Sequence, residues 1–363
     1  MNIVLKLSKL CNLRCSYCYE YDQLANPARM PLSGLAQFFE SLATWLDSQQ
    51  LRVGLEVALH GGEPLLLPPD YLRAVVDLQR RALGGAGHQV RNTIQSNLFR
   101  VRDDMLACLQ ELDIGLGVSI DVHGEARVDA RGRCAEPAVD RNLRRLLDSG
   151  LAERITMGGI SVLHAGNVEQ SVATYHYFAE LGLNYRILPI FAMEAPGPRM
   201  TPLMLSAEQI VDAFRAVMHA RLVTEVPSIR VEPLDEYLQT AGLKRRNQPR
   251  PPSSQQLPWS LIVDTQGDAY LHADAYSPGG RLGNVFTQPF GELMASSAYA
   301  QALAAQRQRL QVCTRCTWEA YCTRLPVAEA LHSERMTNDY GEAVCAIAQP
   351  FLSTLDEWMR QAA

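Results

Sequence analysis

The sequence predicts an α/β fold in which parallel strands alternate with helices, as in an open or closed barrel. A short apolar, β-branched run followed by an amphipathic helical stretch repeats six times in the first 190 residues. The candidate strands are residues 3–7, 53–59, 90–95, 114–120, 155–163 and 185–190. Such repeats join by right-handed crossovers, and the chemistry then lies at the carboxyl ends of the strands. We therefore expect an open or closed α/β barrel of six strand–helix units.

The helical stretches carry apolar residues at helical spacing. In the clearest one Ser33 is the expected N-cap, and the apolar stripe comprises Leu35, Phe38, Phe39, Leu42, Trp45 and Leu46. Three regions are expected: the barrel over residues 1–205, a helical bridge and linker over 206–258, and a C-terminal domain over 259–363. Residues 244–258 are charged and rich in proline, so we expect an exposed loop, either solvated or in contact with an acidic peptide. The segment 259–272 reads as a β-hairpin.

Composition and charge exclude several classes of protein. The 363 residues are 47% hydrophobic and 20% charged, which is typical of a globular enzyme and not of a disordered chain. A net charge of −5 gives no general electrostatic reason to bind nucleic acid or a membrane surface, and neither partner is expected. The chain has no run of 18 apolar residues and no signal-peptide pattern, so the predicted localisation is cytoplasmic.

Nine cysteines narrow the chemistry, because seven of them lie in two groups near the ends of the chain. Short spacing in a cytosolic protein is typical of metal binding or catalysis. Cys11, Cys15 and Cys18 have C-x3-C-x2-C spacing directly after the first predicted strand. Three thiolates in one loop can bind three irons of a four-iron cluster and leave the fourth iron open to amino and carboxylate groups. The alternative is structural zinc, which would need a fourth ligand nearby. Cys108 is expected to be a buried core residue.

Polar motifs follow the next three predicted strands. Glycines permit a close backbone approach in the first of them, and its glutamate is expected to brace the loop. The residues concerned are Gly61, Gly62 and Glu63 in LHGGEP, Asn97 in QSN, Ser119 and Asp121 in SID, and Arg127 in ARVDARG.

With these motifs in this order, the chain resembles the radical S-adenosylmethionine (SAM) superfamily. The resemblance implies a [4Fe–4S] cluster held by Cys11, Cys15 and Cys18 that binds and cleaves SAM, giving a 5′-deoxyadenosyl radical that abstracts a substrate hydrogen. The fold implied is an α/β fold with a partial (β/α)6, TIM-like radical SAM barrel. The residues implied to surround the cluster and SAM are Tyr17, Gly61, Gly62, Glu63, Asn97, Ser119 and Arg127.

The second cysteine group resembles the SPASM extension of peptide-modifying radical SAM enzymes, a C-terminal domain with auxiliary [4Fe–4S] clusters. All four ligands that one such cluster would need are present: Cys313, Cys316, Cys322 and Cys345. Ala273 and Pro326 stand where a further cluster would need cysteines. We therefore expect one auxiliary [4Fe–4S] cluster, with zinc in this site as the alternative.

Two aspartates are candidate catalytic bases. Asp274 occupies the place of the general base of sulfatase-maturating relatives, and a carboxylate there could take a proton from a substrate radical. A solvated loop aspartate is the alternative reading. Asp121, at the end of the fourth strand, is the second candidate.

The resemblance implies a radical SAM oxidoreductase that matures a ribosomally synthesised peptide by C–H hydrogen abstraction and an intrapeptide crosslink. The start VLKLSKLCNLRCSYCYEY and the later RLGNVF look most like the group that forms C–C cyclophanes. Thioether or epimer formation is the alternative within the class, and an iron–sulfur electron-transfer or regulatory protein is the alternative outside it. A sulfatase maturase is disfavoured, because ligands for a further cluster are missing. Expected partners are a precursor peptide and an electron donor such as flavodoxin or ferredoxin.

Overall fold

The computed structural model describes residues 1–190, 197–223, 229–251, 260–271, 278–325 and 342–361. These residues form two compact units. The first comprises Met1–Ile120, Ala126–Gly158 and Pro258–Leu303, and the second comprises Asp121–Glu125, Gly159–Leu257 and Ala304–Ala363. The domain boundaries expected from the sequence, at residues 205 and 258, stay a prediction.

The first unit is built on a sheet with four parallel strands from the N-terminal part of the chain. They are β1 (Asn2–Ser8), β2 (Gly54–Gly61), β3 (Gln89–Ser96) and β4 (Gly115–Ser119), and the later strands are β8 (Ser260–Val263), β9 (Asp268–Leu271) and β10 (Arg281–Asn284). Their order is β10-β9-β8-β1-β2-β3-β4. The predicted hairpin is confirmed as β8–β9, and β8 pairs in parallel with β1.

Helices accompany these strands in the first unit. They are α1 (Leu32–Ser48), α2 (Pro69–Gln79), α3 (Asp103–Leu112), α4 (Glu136–Asp148), α5 (Leu151–Arg154), α9 (Phe290–Met294) and α10 (Ser297–Arg309, in this unit through Leu303). Phe38, Phe39 and Leu42 of α1 are fully buried, which confirms the predicted stripe, and Cys108 is a buried core residue as expected. The predicted cap is wrong: the N-cap is Pro31, whose carbonyl accepts from the Leu35 amide at 3.1 Å, so Ser33 lies inside the helix.

The second unit contains the parallel strands β5 (Met157–Leu163, in this unit from Gly159), β6 (Tyr185–Pro189) and β7 (Val231–Glu232). Its helices are α6 (Ser171–Glu180), α7 (Ala207–Val223), α8 (Leu234–Arg245) and α11 (Ala348–Gln361). The Phe178 ring stacks on Tyr185 with centroids 4.2 Å apart. Gly159 leaves room for that ring, because a side-chain carbon at residue 159 would lie 2.3 Å from it.

All six predicted strands are present, each with ends within two residues of the prediction. The α/β prediction with parallel strands is therefore confirmed. Among the described residues, no helix is long and apolar enough to cross a membrane.

Candidate active site

The two glycines after β2 bring two backbone segments into direct contact. Gly61 has φ of +142°, and a side-chain carbon there would lie 2.3 Å from the Ser8 carbonyl oxygen. A carbon on Gly62 would lie 2.3 Å from the Leu10 carbonyl oxygen. The Gly62 amide donates to Ser8 and the Glu63 amide to Leu10, each at 2.8 Å. The close approach thus joins this loop to the segment that leads into the cysteines, and the predicted contact of both glycines with SAM stays a prediction.

Cys11, Cys15 and Cys18 lie half-buried in the loop after β1. Burial raises the pKa of Cys11 and of Cys18 to about 11. The Cys11 sulfur accepts from the Leu13 amide at 3.4 Å. Buried thiols that already receive N–H donors fit a cationic centre, because bound metal takes the place of their protons. In the described part of the chain, no three His, Cys, Asp or Glu side chains form a group that could hold a single metal ion.

Glu63 fastens the loop after β2 to the end of β3. Its Oε1 accepts from the Leu65 amide and the Ser96 hydroxyl, both at 2.9 Å, and its Oε2 accepts from the Asn97 amide at 2.7 Å. Burial raises the pKa of this carboxyl group to about 7. Both oxygens contact the chain itself, so the bracing role expected for Glu63 is what the geometry provides.

Asn97 connects the end of β3 to the cysteine loop. Its Nδ2 donates to Oδ1 of Asn12 at 2.8 Å and lies 3.6 Å from the Cys11 sulfur. Its Oδ1 accepts from the Phe99 amide at 2.9 Å, which fixes the orientation of the side-chain amide. The structure thus brings the predicted Asn97 and Cys11 together across 86 positions of sequence.

A row of polar side chains lies on one face of β1 to β4. Lys6 pairs in register with His60, and its Nζ lies 3.3 Å from His60 Nδ1 and hydrogen-bonds the Tyr19 hydroxyl. Gln95 Nε2 donates to the Ser119 hydroxyl at 2.8 Å. Because Leu59 pairs with Ile94, strand alternation puts His60 and Gln95 on the same face. Burial lowers the pKa of Lys6 to about 8 and that of His60 to about 3.

Sequence reasoning included Ser119 in this row but missed Lys6 and His60. Lys6 is the only charged residue in the apolar strand β1, and that isolation is the signal that could have found it. Its position beside the segment after Cys18 puts a buried ammonium next to the cysteine loop.

Comparison with known proteins identifies the family to which the domain carrying this site belongs. The sequence profile of the radical SAM superfamily matches residues 5–178, which include all three N-terminal cysteines and the three polar motifs. The N-terminal half of the chain is a radical SAM domain. The prediction of a radical SAM enzyme is confirmed for this part of the chain, whereas membership of the cyclophane-forming group stays a prediction.

Relatives in sequence include sulfatase-maturating enzymes. A stretch of 191 residues is 26% identical to a serine-type anaerobic sulfatase-maturating enzyme of Bacteroides thetaiotaomicron and covers 50% of this chain and 44% of that protein. A cysteine-type enzyme of Clostridium novyi is 25% identical over 152 residues, 38% of each chain. The matched stretches thus span less than half the length of these relatives.

Solved structures match over more of the chain. Native anSMEcpe with bound AdoMet and the Cp18Cys peptide has a TM-score of 0.75 at 15% identity, covering 99% of this chain and 97% of that one. Streptococcus suis SuiB bound to S-adenosylmethionine has a TM-score of 0.57 at 13% identity, covering 89% and 72%. The fold is therefore that of anSMEcpe from the radical SAM domain through the C-terminal region.

Arg127 of the radical SAM domain is buried, with only 2% of its side chain exposed. Its Nε lies 3.3 Å from Glu136 Oε1, and its Nη2 donates to the Asn97 carbonyl at 3.4 Å. This ion pair braces the end of β3 against the first turn of α4, and sequence reasoning missed Glu136. The predicted contact of Arg127 with SAM stays a prediction, as does that of Tyr17, which lies half-buried in the cysteine loop.

Asp121, the second candidate base, is buried beside a histidine at the end of β5. Its Oδ1 accepts from the Val162 amide at 2.9 Å, and its Oδ2 lies 3.8 Å from His164 Nε2. The Gly166 amide donates to His164 Nδ1 at 3.0 Å, which leaves Nε2 to carry the proton toward Asp121. Asp274 and Ala273 lie outside the described residues, as does Pro326, so the first candidate base stays a prediction.

The four C-terminal cysteines surround one cavity. Cys313, Cys316, Cys322 and Cys345 line this cavity together with Trp318 and Arg324. Burial raises the pKa of Cys313 to about 12 and also raises that of Cys322, whose sulfur accepts from the Arg324 amide at 3.4 Å. Four cysteines that line one cavity are the donor set of a [4Fe–4S] cluster, and both that auxiliary cluster and its alternative, zinc, stay predictions.

Proposed function

We propose that the protein is a radical SAM maturase of a ribosomally synthesised peptide. The observation that carries the proposal is the junction at Asn97, whose amide contacts both Asn12 and the Cys11 sulfur. Through it, the polar ends of β1 and β3 converge on the thiols proposed to bind the [4Fe–4S] cluster. Such convergence at the carboxyl ends of parallel strands is where barrel enzymes place their chemistry.

The chain's own residues hold the proposed site in place. Glu63 fixes the loop after β2 through three hydrogen bonds, and Asn97 fixes the orientation of Cys11. The pair of Gln95 and Ser119 offers polar atoms for the ligand on the neighbouring strands. A bound [4Fe–4S] cluster with SAM would supply the 5′-deoxyadenosyl radical that abstracts a substrate hydrogen.

The first experiment tests SAM cleavage. Reconstituted, dithionite-reduced protein should convert SAM to 5′-deoxyadenosine, and replacing Cys11, Cys15 and Cys18 by alanine should abolish this conversion. Cys134→Ala is the matched control, because Cys134 is exposed and far in sequence from both groups. Cleavage that persists in the triple variant would contradict the assignment. No cleavage by the parent would favour an iron–sulfur electron carrier or regulator.

The peptide and the bond formed are the finer part of the proposal. Support for a peptide substrate comes from the relatives, since anSMEcpe has been solved with a bound peptide. We propose an intrapeptide C–C crosslink of the cyclophane kind. Its formation requires the peptide to lose one hydrogen atom, one proton and one electron. Bound SAM would supply the acceptor of the hydrogen atom, a base would take the proton, and an auxiliary [4Fe–4S] cluster held by Cys313, Cys316, Cys322 and Cys345 would supply the acceptor of the electron.

Mass spectrometry of a peptide encoded beside the gene tests this reaction. A C–C crosslink lowers the mass by two hydrogens and leaves every cysteine thiol open to alkylation, whereas a thioether consumes a thiol. An epimer formed in H₂O has the same mass as the parent peptide, and an epimer formed in D₂O carries deuterium from the solvent. Flavodoxin or ferredoxin in place of dithionite tests the proposed electron donor.

A second candidate is maturation of a sulfatase peptide. The curated relatives of the serine and cysteine types favour it, although they match only part of the chain. Incubation with a sulfatase-derived peptide, with serine or cysteine at the modified position, discriminates the two functions. An oxidised serine or cysteine in that peptide would replace the crosslinking proposal.

A further inference from the structure

The segment that follows α8 lies on the loop between Cys316 and Cys322. The Arg250 amide donates to the Ala320 carbonyl at 2.9 Å, and Arg250 Nε donates to the Tyr321 carbonyl at 2.6 Å. The Tyr321 hydroxyl in turn donates to Asn247 Oδ1 at 2.9 Å. Residues 245–249 are exposed, as expected for this part of residues 244–258, and three hydrogen bonds join the segment to the cysteine loop.

Arg250 also connects the cysteine loop to α8. Its Nη2 lies 2.9 Å from Glu236 Oε1, and only 12% of the Arg250 side chain is exposed. The guanidinium thus donates from Nε to the Tyr321 carbonyl and from Nη2 to a carboxylate of the helix. A planar fork with several donors can bridge two acceptors in this way, and a lysine ammonium cannot reproduce the geometry.

A cation–π contact forms the other end of the same surface. Lys244 Nζ lies 3.6 Å from the centre of the Trp318 ring, and Trp318 is buried between Cys316 and Cys322 in sequence. A desolvated contact of this kind is among the stronger ones. Residues 244–250 therefore contact the cysteine loop at both of its aromatic residues.

We propose that Lys244, Asn247 and Arg250 form a clamp that preorganises the C-terminal cysteine loop for metal binding, with Arg250 as its positioning residue. A loop that must order itself when metal binds loses affinity by the cost of that ordering. Hydrogen bonds that orient ligand-bearing segments from outside the ligand shell are typically worth about 10- to 100-fold in metal affinity. The inference rests on the proposed role of the four cysteines as ligands, and it holds for zinc as well as for iron.

The test uses Co²⁺ as the probe, because its thiolate charge-transfer absorption reports binding to the cysteine site. The protein is the full-length chain with Cys11, Cys15 and Cys18 changed to alanine, so that the C-terminal group is the site under study. In this background Arg250→Gln should weaken Co²⁺ binding by about 10- to 100-fold. Arg250→Lys should weaken it comparably, because the fork is lost although the charge remains.

Arg246→Gln is the matched control and should leave the Co²⁺ affinity unchanged. Arg246 belongs to the same segment, but its described side-chain contact is with Gln248, also within the segment. Urea unfolding of each metal-free variant separates a general loss of stability from a loss of affinity. If Arg250→Gln does not fold, Tyr321→Phe decides, since it removes only the hydrogen bond to Asn247.

Full Co²⁺ affinity in folded Arg250→Gln, or in Tyr321→Phe when the former does not fold, would overturn the clamp. Full Co²⁺ affinity in Arg250→Lys would also overturn the clamp, because the positive charge alone would then explain the effect of Arg250. If the background protein does not bind Co²⁺, this result contradicts both the proposed metal site and the proposed clamp. Tight Co²⁺ binding that depends on Arg250, in a protein that reconstitutes no iron there, would support the clamp and contradict the proposed auxiliary [4Fe–4S] cluster.

Discussion

Gly62→Ala is expected to separate the loop after β2 from the cysteine loop. A side-chain carbon at this residue would lie 2.3 Å from the Leu10 carbonyl oxygen and 2.4 Å from that of Lys9. Ordinary contacts begin at 3.4 Å, so the two backbones must move apart by roughly 1 Å. The obstacle is backbone on both sides, which cannot rotate away as a flexible side chain could.

The cost follows from what this movement breaks. The hydrogen bonds from the Gly62 amide to Ser8 and from the Glu63 amide to Leu10 are both 2.8 Å long and would be lost or weakened. Each contributes about 0.5–1.5 kcal/mol, and overpacking adds about 1–3 kcal/mol. The expected loss in the free energy of unfolding is therefore about 2–6 kcal/mol.

Urea unfolding of the metal-free protein measures this loss, and Gly54→Ala is the matched control. Gly54 begins the same strand, and a side-chain carbon there would meet nothing within 4 Å, so the control should be neutral or slightly stabilising. Reconstituted Gly62→Ala should also bind less iron at the N-terminal cysteines. If the free energies of unfolding of the two variants differ by less than about 0.5 kcal/mol, the contact between the two loops does not have the rigidity that we assign to it.

Four further outcomes are expected. Lys6→Met should lower the reduction potential of the N-terminal cluster in an EPR-monitored titration, because a buried cation near Cys18 is removed; an unchanged potential contradicts this. Arg127→Met should cost about 3–5 kcal/mol in urea unfolding because it removes the cationic half of the buried ion pair with Glu136, and adding Glu136→Met should recover most of the loss. The raised pKa of Glu63 means that the folded state binds more protons than the unfolded state between pH 5 and pH 7. The free energy of unfolding should then fall as the pH rises, by up to about 1.4 kcal/mol per unit, and Glu63→Gln should flatten that slope. Asp274→Asn should leave SAM cleavage intact but slow product formation by about 10²–10⁴, and peptide processed at the parent rate would remove Asp274 as the base.

Local patterns in the sequence determined the secondary structure and the identity of the domain. Strand and helix periodicity depends on neighbours within a few residues, so the six parallel strands and the buried face of α1 could be predicted with ends close to those observed. The spacing of Cys11, Cys15 and Cys18, with LHGGEP after the next strand, is equally local, and it sufficed for the radical SAM assignment. The N-cap of α1 was missed because Pro31 and Ser33 lie in the same turn and either residue can precede a helix.

The contacts that position the site were decided by the tertiary structure. Asn97 meets Asn12 across 85 positions, Arg250 meets Tyr321 across 71, and Lys6 meets His60 across 54. Strand register and loop packing determine which side chains meet over such distances, and no periodicity in the sequence records them. The two glycines show the difference most clearly: the motif predicted that their backbone can approach SAM closely, which stays a prediction, and only the fold revealed that the backbone of Ser8–Leu10 packs against them. A side chain's neighbours are set by the whole chain's path, whereas its secondary structure is set largely by its own segment.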